Sequence, residues 1–373
     1  MTDAATLEAI RRVEQTPLNQ LVNVSLDDVQ TQMDALLSPE NDSASFYRRW
    51  ETQQWAVSDL DFEQDKRDWA NIPPPVQATL RTTMTLFFLG EQIVTDTLAP
   101  VLHAAPREDE RVFLATQIAD EARHTVFFDR YFDEVLGHQG GIRSALANFG
   151  PATREGYRRI FYGELPEAID RCRLEPKDPV AFAEAVVTYH LIIEGYLALG
   201  GQRNTLRLLR KIGILPGFVA GFTAVARDES RHIGFGVLTL RRRVLENAEM
   251  GRVIARKVHH LLEPAVRVVV GPDEKLPFEH ITEVPEPMRI NALEARDFAI
   301  ESLSKRLRAA ELTDQAVDEV ALRMTSLYNQ LWMEYERNHG VEHPVRYWQR
   351  EAAAGHWCPR QDSEVQPDRP AAA

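Results

Sequence analysis

Residues 120–124 read DEARH and residues 228–232 read DESRH, so one short motif occurs twice in a chain of 373 residues. In both copies the glutamate precedes the histidine by three positions. On an α-helix that spacing is about 300° of rotation, which puts the two side chains on one face. Each copy can therefore present a carboxylate and an imidazole to the same metal ion, and the first hypothesis is a metal-binding helical protein.

Long helices are predicted around both motifs. Prolines that suit a first helical turn begin the segments, and apolar residues recur in them at three-to-four spacing. The predicted core helices span about 74–103, 106–137, 179–201 and 216–245, with a shorter connecting helix between the second and third and further helices at about 251–269, 287–310 and 313–338. No stretch alternates β-branched and polar residues for long, which indicates an all-α fold.

The two core helices without the motif each carry one glutamate in an apolar stretch, Glu91 in LFFLGEQIV and Glu194 in HLIIEGYLA. A buried carboxylate costs several kcal/mol unless it is paired or binds metal. Four glutamates carry −4, which two divalent cations balance. The predicted ligands are four glutamates and two histidines: Glu91, Glu121, His124, Glu194, Glu229 and His232.

This ligand set indicates a particular kind of centre. One glutamate from each of two helices and a Glu-x-x-His from each of the other two is the pattern of di-iron and di-manganese carboxylate bundles of the ferritin-like type. Oxygen-rich ligation with two imidazoles suits iron or manganese better than zinc or copper. Asp120 and Asp228 are either surface charges or groups that orient an imidazole, the role we predict for Asp228. Arg123 and Arg231 are predicted to be salt-bridge partners rather than catalysts.

Composition narrows the function classes. The net charge of −13 and the pI near 5.4 disfavour nucleic acid as a partner. Two cysteines, Cys172 and Cys358, cannot form a disulfide framework, which favours a reduced, cytoplasmic setting. The charged N-terminus lacks a signal-peptide core, and no apolar run approaches the roughly 20 residues of a membrane span. We expect a cytoplasmic protein without an integral membrane segment.

Three regions are predicted along the chain. Residues 1–40 form a weakly anchored helical extension, residues 41–345 form the helical dimetal domain, and residues 346–373 form a flexible, Pro- and Ala-rich tail.

Over about 50–245 the sequence resembles the ribonucleotide reductase small-subunit superfamily, and within it the ligand-binding oxidases. The resemblance rests on GEQIVTD, DEARHTVFFDRYFDEV, YRRIFYGELPEAID, VTYHLIIEGYLAL and DESRH. It implies a manganese and iron pair, with two irons as the alternative, O2 as a reactant, a long-chain fatty acid as the ligand, and a homodimer. It also implies an ether cross-link between a valine and a tyrosine, and the matching positions here are Val94 and Tyr189.

The two cross-link positions differ in how easily a regular helix brings them to the metals. Val94 follows Glu91 by three residues and shares its face. Tyr189 precedes Glu194 by five residues, about 500° on an α-helix, which leaves the two roughly 140° apart. A π-bulge near Glu194 would reduce that offset. Without the resemblance, Val94 is simply core packing and Tyr189 a buried hydroxyl with a partner.

Two other functions stay open. One is the small subunit of a class I ribonucleotide reductase lacking the tyrosyl radical, because Phe128 stands where that radical tyrosine is usual. No tyrosine lies in residues 349–373, where such subunits carry a relay tyrosine. The other is a metal-storage bundle, which the hundred-odd residues after the last ligand disfavour.

For an oxidase, the sequence also predicts an apolar chamber beside the metals. The residues predicted to surround it are Phe87, Phe88, Leu191 and Ile192.

Overall fold

A computed structural model describes residues 4–137, 154–273 and 291–355, except the side chains of 95 and 96. Within these ranges the chain is α-helical and contains no strand, which confirms the all-α prediction. The helices are α1 (Ala4–Gln15), α2 (Leu26–Leu36), α3 (Ser43–Thr52), α4 (Glu63–Asn71), α5 (Pro74–Ala104), α6 (Glu108–Glu134), α7 (155–174), α8 (Pro179–Ile212), α9 (Pro216–Glu246), α10 (Glu249–Val270), α11 (Ala292–Ala309), α12 (Asp314–His339) and α13 (Pro344–Ala353).

The core is a bundle of four long helices. Helix α5 packs along α6, and the central part of α8 packs along α9, which also contacts α6. Helices α10 and α11 pack against the second pair, and α12 packs on α10 and α11. Every ligand predicted from the sequence therefore lies on one of the four core helices, and the flanking helices cover the outside of α8.

Helix α8 is longer than the sequence predicted. Gly200 and Gly201 do not end it, because Gly201 stays helical where a Cβ would lie 2.7 Å from the Phe87 ring. The helix ends instead at Gly213, whose φ of 75° gives the left-handed C-cap that glycine adopts at low cost. Its central part, Val187–Ala198, is a π-helix.

The same helix is apolar enough to match a membrane span by composition. An 18-residue window of Pro179–Ile212 has a mean hydropathy of 1.3, so the sequence contains one such run after all. In the structure, 83% of that window is buried inside the protein. Burial among α9, α10 and α11 accounts for its apolar composition, as in the core helix of a bundle.

The N-terminal extension is held more firmly than predicted. Val13, Leu21 and Met33 are buried, and the 3₁₀ segment Leu18–Asn23 lies against α9. The Arg210 guanidinium of α8 donates to the carbonyl oxygens of Leu21 and Val24. Helical periodicity alone did not reveal these contacts, because the partners are almost two hundred residues away in sequence.

The C-terminal tail begins later than predicted. Residues 344–353 form α13, in which Tyr347 and Trp348 are buried. Because these two aromatic side chains are buried, α13 packs against the helical domain, and residues 346–353 belong to the packed structure. The rest of the predicted tail, residues 356–373, lies outside the described residues, and so does Cys358.

Candidate metal centre

The six predicted ligands converge at one place in the bundle. All are buried, at 0 to 8% exposure. They form two groups that share Glu121 and Glu229, and the potential ligand atoms of each group lie within 4.8 Å of one another. Glu91 and His124 complete the first group, the His124 half, whereas Glu194 and His232 complete the second, the His232 half.

The two halves have nearly the same spacing. His124 Nδ1 lies 3.4 Å from an oxygen of Glu91, 3.4 Å from one of Glu121 and 3.5 Å from one of Glu229. His232 Nδ1 lies 3.3 Å from Glu121, 3.5 Å from Glu194 and 3.5 Å from Glu229. Two atoms that each lie about 2.1 Å from a shared cation are roughly 3.0–3.4 Å apart, so both sets of distances fit metal co-ligands.

Unsatisfied lone pairs point into this space. His124 Nδ1, His232 Nδ1, Glu194 Oε2 and Glu229 Oε2 are buried and make no hydrogen bond. Buried polar atoms without partners are rare in proteins and require an explanation. Their chemistry, neutral imidazole nitrogen and carboxylate oxygen, is that of ligands to iron or manganese, so the residues present fit a two-metal centre.

The other imidazole nitrogens are held by aspartates in a crosswise arrangement. His124 Nε2 lies 3.2 Å from Asp228 Oδ2, and His232 Nε2 lies 3.1 Å from Asp120 Oδ2. Each aspartate therefore orients the histidine of the opposite motif, which fixes Nε2 as the protonated nitrogen and leaves Nδ1 for metal. Asp228 has the position that its predicted role requires, and Asp120 has the same one.

An arginine layer balances the two aspartates. Arg231 is fully buried and donates to Asp228 at 2.6 Å and to Asp120 at 3.0 Å. Arg123 donates to both carboxylates as well, at 3.0 Å to Asp228. Two cations thus offset two anions, and the aspartates hold the imidazoles without adding net charge to the centre.

Two tryptophans complete this layer. The indole nitrogen of Trp50 donates to Asp120 at 3.0 Å, and that of Trp55 donates to Asp228 at 2.8 Å. The Trp55 ring also stacks on the His124 ring, with 6.5 Å between the two ring centroids. The Arg123 guanidinium lies 5.0 Å from the centroid of the Trp55 ring. No local pattern could have identified these partners, because they are 70 and 173 residues away from the aspartates in sequence.

The four glutamates differ in how the surrounding protein affects their charge. Burial raises the pKa of Glu91 to about 8, against the opposing effect of His124. Burial and neighbouring carboxylates also raise the pKa of Glu194 and Glu229. For Glu121, burial is outweighed by the adjacent imidazoles of His124 and His232 in their protonated form, which lower the pKa well below its usual range. Protein groups thus favour the ionised form of only one of the four, and cations would stabilise the others.

The π-helix brings Tyr189 to the centre. Its hydrogen bonds run from residue i to i+5, so five residues make closer to one full turn than in an α-helix. Tyr189 consequently faces the same space as Glu194, and its hydroxyl donates to Glu121 Oε1 at 2.8 Å. The sequence-based difficulty with Tyr189 is removed by this backbone geometry.

A cavity of about 580 Å³ adjoins the centre, and Glu91, Glu121, Glu194, Glu229, Val94 and Tyr189 line it. It extends between α5 and α8 as far as Ala78, thirteen residues from Glu91, which is about 20 Å along a helix. The rest of its wall is mainly apolar, including Leu86, Phe87, Phe161, Ile193, Leu197 and Trp332.

The predicted chamber residues are only partly correct. Phe87 lines the cavity, whereas Phe88, Leu191 and Ile192 do not. Phe88 packs on Phe128 and Phe132, and both aliphatic residues are fully buried in the main core. For Leu191 and Ile192 the altered winding of the π-helix explains the difference, since it directs Ile193 and Leu197 to the cavity instead.

Sequence reasoning missed a polar pair behind Glu194. Gln117 Nε2 donates to Glu194 Oε1 at 2.8 Å, and His190 Nε2 lies 3.1 Å from Gln117 Oε1. A signal for Gln117 existed, because it precedes Glu121 by four residues and so shares its helix face. His190 likewise precedes Glu194 by four residues, but the π-helix rather than regular α-helical spacing determines its direction.

Comparison with known proteins identifies similar chains. Residues 38–270 match the family model described as ribonucleotide reductase, small chain. This range contains all six predicted ligands and both predicted cross-link positions. The match therefore covers the complete candidate centre.

Solved structures point to one branch of these proteins. A variant of an R2-like ligand-binding oxidase with an anaerobically reconstituted Mn/Fe cofactor is 27% identical, with a TM-score of 0.61, and the alignment covers 72% of this chain and 94% of that one. A second variant, with an aerobically reconstituted Mn/Fe cofactor, is 26% identical with the same TM-score and coverage. The R2-like ligand-binding oxidase of Sulfolobus acidocaldarius, at 24% identity and a TM-score of 0.58, shares the fold over 76% of this chain and 92% of its own.

Proposed function

Because the chain belongs to the ribonucleotide reductase small-chain family, we propose that it is an oxygen-activating dimetal oxidase with a cavity for a long apolar ligand. The observation that carries the proposal is the opening of the four-glutamate centre into a largely apolar cavity. Similar structures that carry an Mn/Fe cofactor favour manganese and iron, with two irons as the alternative. Such a pair, once reduced, supplies the electrons and the binding site for O2 activation.

The residues around this centre have three different roles: some would bind metal, some orient the imidazoles, and some exclude water. Glu121 and Glu229 would help to hold both ions, since both belong to each group, while Glu91 and Glu194 would each help to hold one. Asp120 and Asp228 keep the imidazole protons on Nε2, so that Nδ1 faces metal. The apolar wall excludes water from the oxidising site, which limits side reactions.

Val94 and Tyr189 are the residues that we propose to be cross-linked. Both line the cavity beside the centre, and the Tyr189 hydroxyl is 2.8 Å from Glu121, which can accept its proton. Joining the phenolic oxygen to a carbon of Val94 breaks one O–H and one C–H bond. The pair loses two protons and two electrons, and O2 is the oxidant that accepts them.

Mass spectrometry tests this proposal directly. Protein loaded anaerobically with Fe(II) and Mn(II) and then exposed to air should lose two hydrogens and yield a linked peptide that contains Val94 and Tyr189. Tyr189→Phe should abolish the mass loss entirely because the phenolic oxygen is gone. Tyr157→Phe, which changes another tyrosine of the cavity wall, should retain it.

The outcomes separate the candidate functions. Two metals without a cross-link would favour a reductase-type small subunit, for which Phe128 already excludes a tyrosyl radical at that position. Absence of stoichiometric metal in the wild-type protein would refute both.

Gly200 provides a test of the apolar ligand. It lines the cavity, and a Cβ at this position would meet no atom within 4 Å, so Gly200→Leu fills space without a backbone clash. We expect the variant to retain metal but to release at least several-fold less fatty acid on organic extraction, measured by mass spectrometry. Gly163→Leu, outside the cavity lining, is the control. Equal fatty acid in both variants would contradict this ligand site.

A further inference from the structure

The side-chain amide of Gln117 makes a hydrogen bond to Glu194, one of the four glutamates of the centre. Because an ionised carboxylate can only accept, Gln117 Nε2 must donate to Glu194 Oε1, at 2.8 Å. Gln117 Oε1 is then left as an acceptor facing His190 Nε2, at 3.1 Å. The orientation of the amide thus follows from its two partners.

His190 is suited to hold the amide in this orientation. It is fully buried, and burial lowers its pKa to about 3, so the ring stays neutral at physiological pH. Its Nε2 must carry the proton in order to donate to Gln117. The ring fits because α9 has a glycine opposite it: a Cβ at Gly236 would lie only 2.3 Å from His190 Cβ.

Gln117 holds the oxygen of Glu194 that faces the His232 half. Glu194 Oε1 accepts from Gln117 at 2.8 Å and lies 3.5 Å from His232 Nδ1, whereas Oε2 is buried without a hydrogen bond. A carboxylate oxygen has two lone pairs, so Oε1 can accept from Gln117 and still bind metal. The amide therefore fixes the orientation of the carboxylate relative to the His232 half.

We propose that Gln117, oriented by His190, is a positioning residue that fixes the orientation of the Glu194 carboxylate and thereby sets the metal affinity of the His232 half. The inference rests on the proposed dimetal function. It goes beyond that function because it makes the two halves chemically unequal: Glu194 belongs to the His232 half only. Outer residues that orient a ligand typically change metal affinity by about 10- to 100-fold.

The test compares Gln117→Leu with the wild-type protein. Leucine keeps similar bulk but cannot donate to Glu194. Anaerobic titration with Fe(II) against a chelator should show one of two binding steps weakened by about 10- to 100-fold. Anomalous diffraction from crystals at limiting Fe(II) should show the lost occupancy at the His232 half, with the His124 half retained. A purely structural role would not discriminate between the halves.

Two further variants keep the result interpretable. His190→Leu removes the orienting donor and should weaken the same step by a smaller factor, so it decides the matter if Gln117→Leu fails to fold. Gln202→Leu removes another buried amide from α8, outside both ligand groups, and should leave both steps unchanged.

The failures can be told apart. If the wild-type protein binds two ions and folded Gln117→Leu binds both with unchanged affinity, or loses affinity equally at both halves, the positioning role is refuted alone. If the wild-type protein binds no Fe(II) or Mn(II), the proposed function and this inference fail together.

Discussion

Glu121→Ala is expected to reduce the metal content from two ions per chain to near none. Glu121 belongs to both ligand groups, so its loss removes a carboxylate from each half at once. The three remaining glutamates would then have fewer cations to balance their buried charge, which further disfavours their ionised forms. Elemental analysis after anaerobic loading with Fe(II) and Mn(II) measures the effect.

The contrast with Glu91→Ala makes this result specific. Glu91 belongs to the His124 half only, so its loss should leave about one ion per chain. Glu108→Ala changes a highly exposed carboxylate on the same helix as Glu121 and should bind two ions like the wild type. Full two-metal loading of the Glu121 variant would refute the assignment of Glu121 to both ligand groups.

Asp228→Ala is expected to lower the free energy of unfolding by about 3–5 kcal/mol, the range for breaking a buried ion pair from one side. The loss would leave Arg231, fully buried, with Asp120 as its remaining carboxylate partner in the arginine layer. It would also remove the acceptors of the Trp55 indole and of His124. Denaturant unfolding of the metal-free proteins measures the change without a contribution from bound metal.

The pH dependence gives this prediction a second check. Burial opposes ionisation of Asp228, but Arg231 and its other partners outweigh it and hold the pKa well below its usual value. The stabilisation is therefore present above about pH 4 and is lost as the pH falls further. The difference between wild type and variant should shrink in acid. Asp109→Ala, at a partly exposed ion pair with Arg242, should cost at most about 1 kcal/mol at neutral pH.

The ligand helices could be predicted because their signals are local. Glu121 and His124 share a face by spacing alone, and apolar flanks indicated that Glu91 and Glu194 are buried. The four long helices followed from the same periodicity. Only their ends shifted, as at Gly201, where helix geometry persists because the glycine lies against Phe87.

The partners of the ligands could not be predicted in this way. Trp55 meets Asp228 through the packing of distant segments, and no spacing rule connects them. The direction of Tyr189 and His190 depends on the π-helix, which the resemblance suggested for Tyr189 but which no residue pattern specified. The part of the cavity wall on α8 was misassigned for the same reason, since Ile193 replaces Ile192 there.

The π-helix at Val187–Ala198 has a consequence for how the length of this chain can vary. Deleting one residue between Tyr189 and Glu194 would let the segment relax to regular α-helix, a backbone geometry that proteins adopt far more often. The tyrosine would then precede the glutamate by four residues, about 400° on an α-helix, so the two side chains would still share one face. The length and the winding of this segment are therefore coupled, because five residues need the π-helix to bring the tyrosine to the centre and four residues need the α-helix.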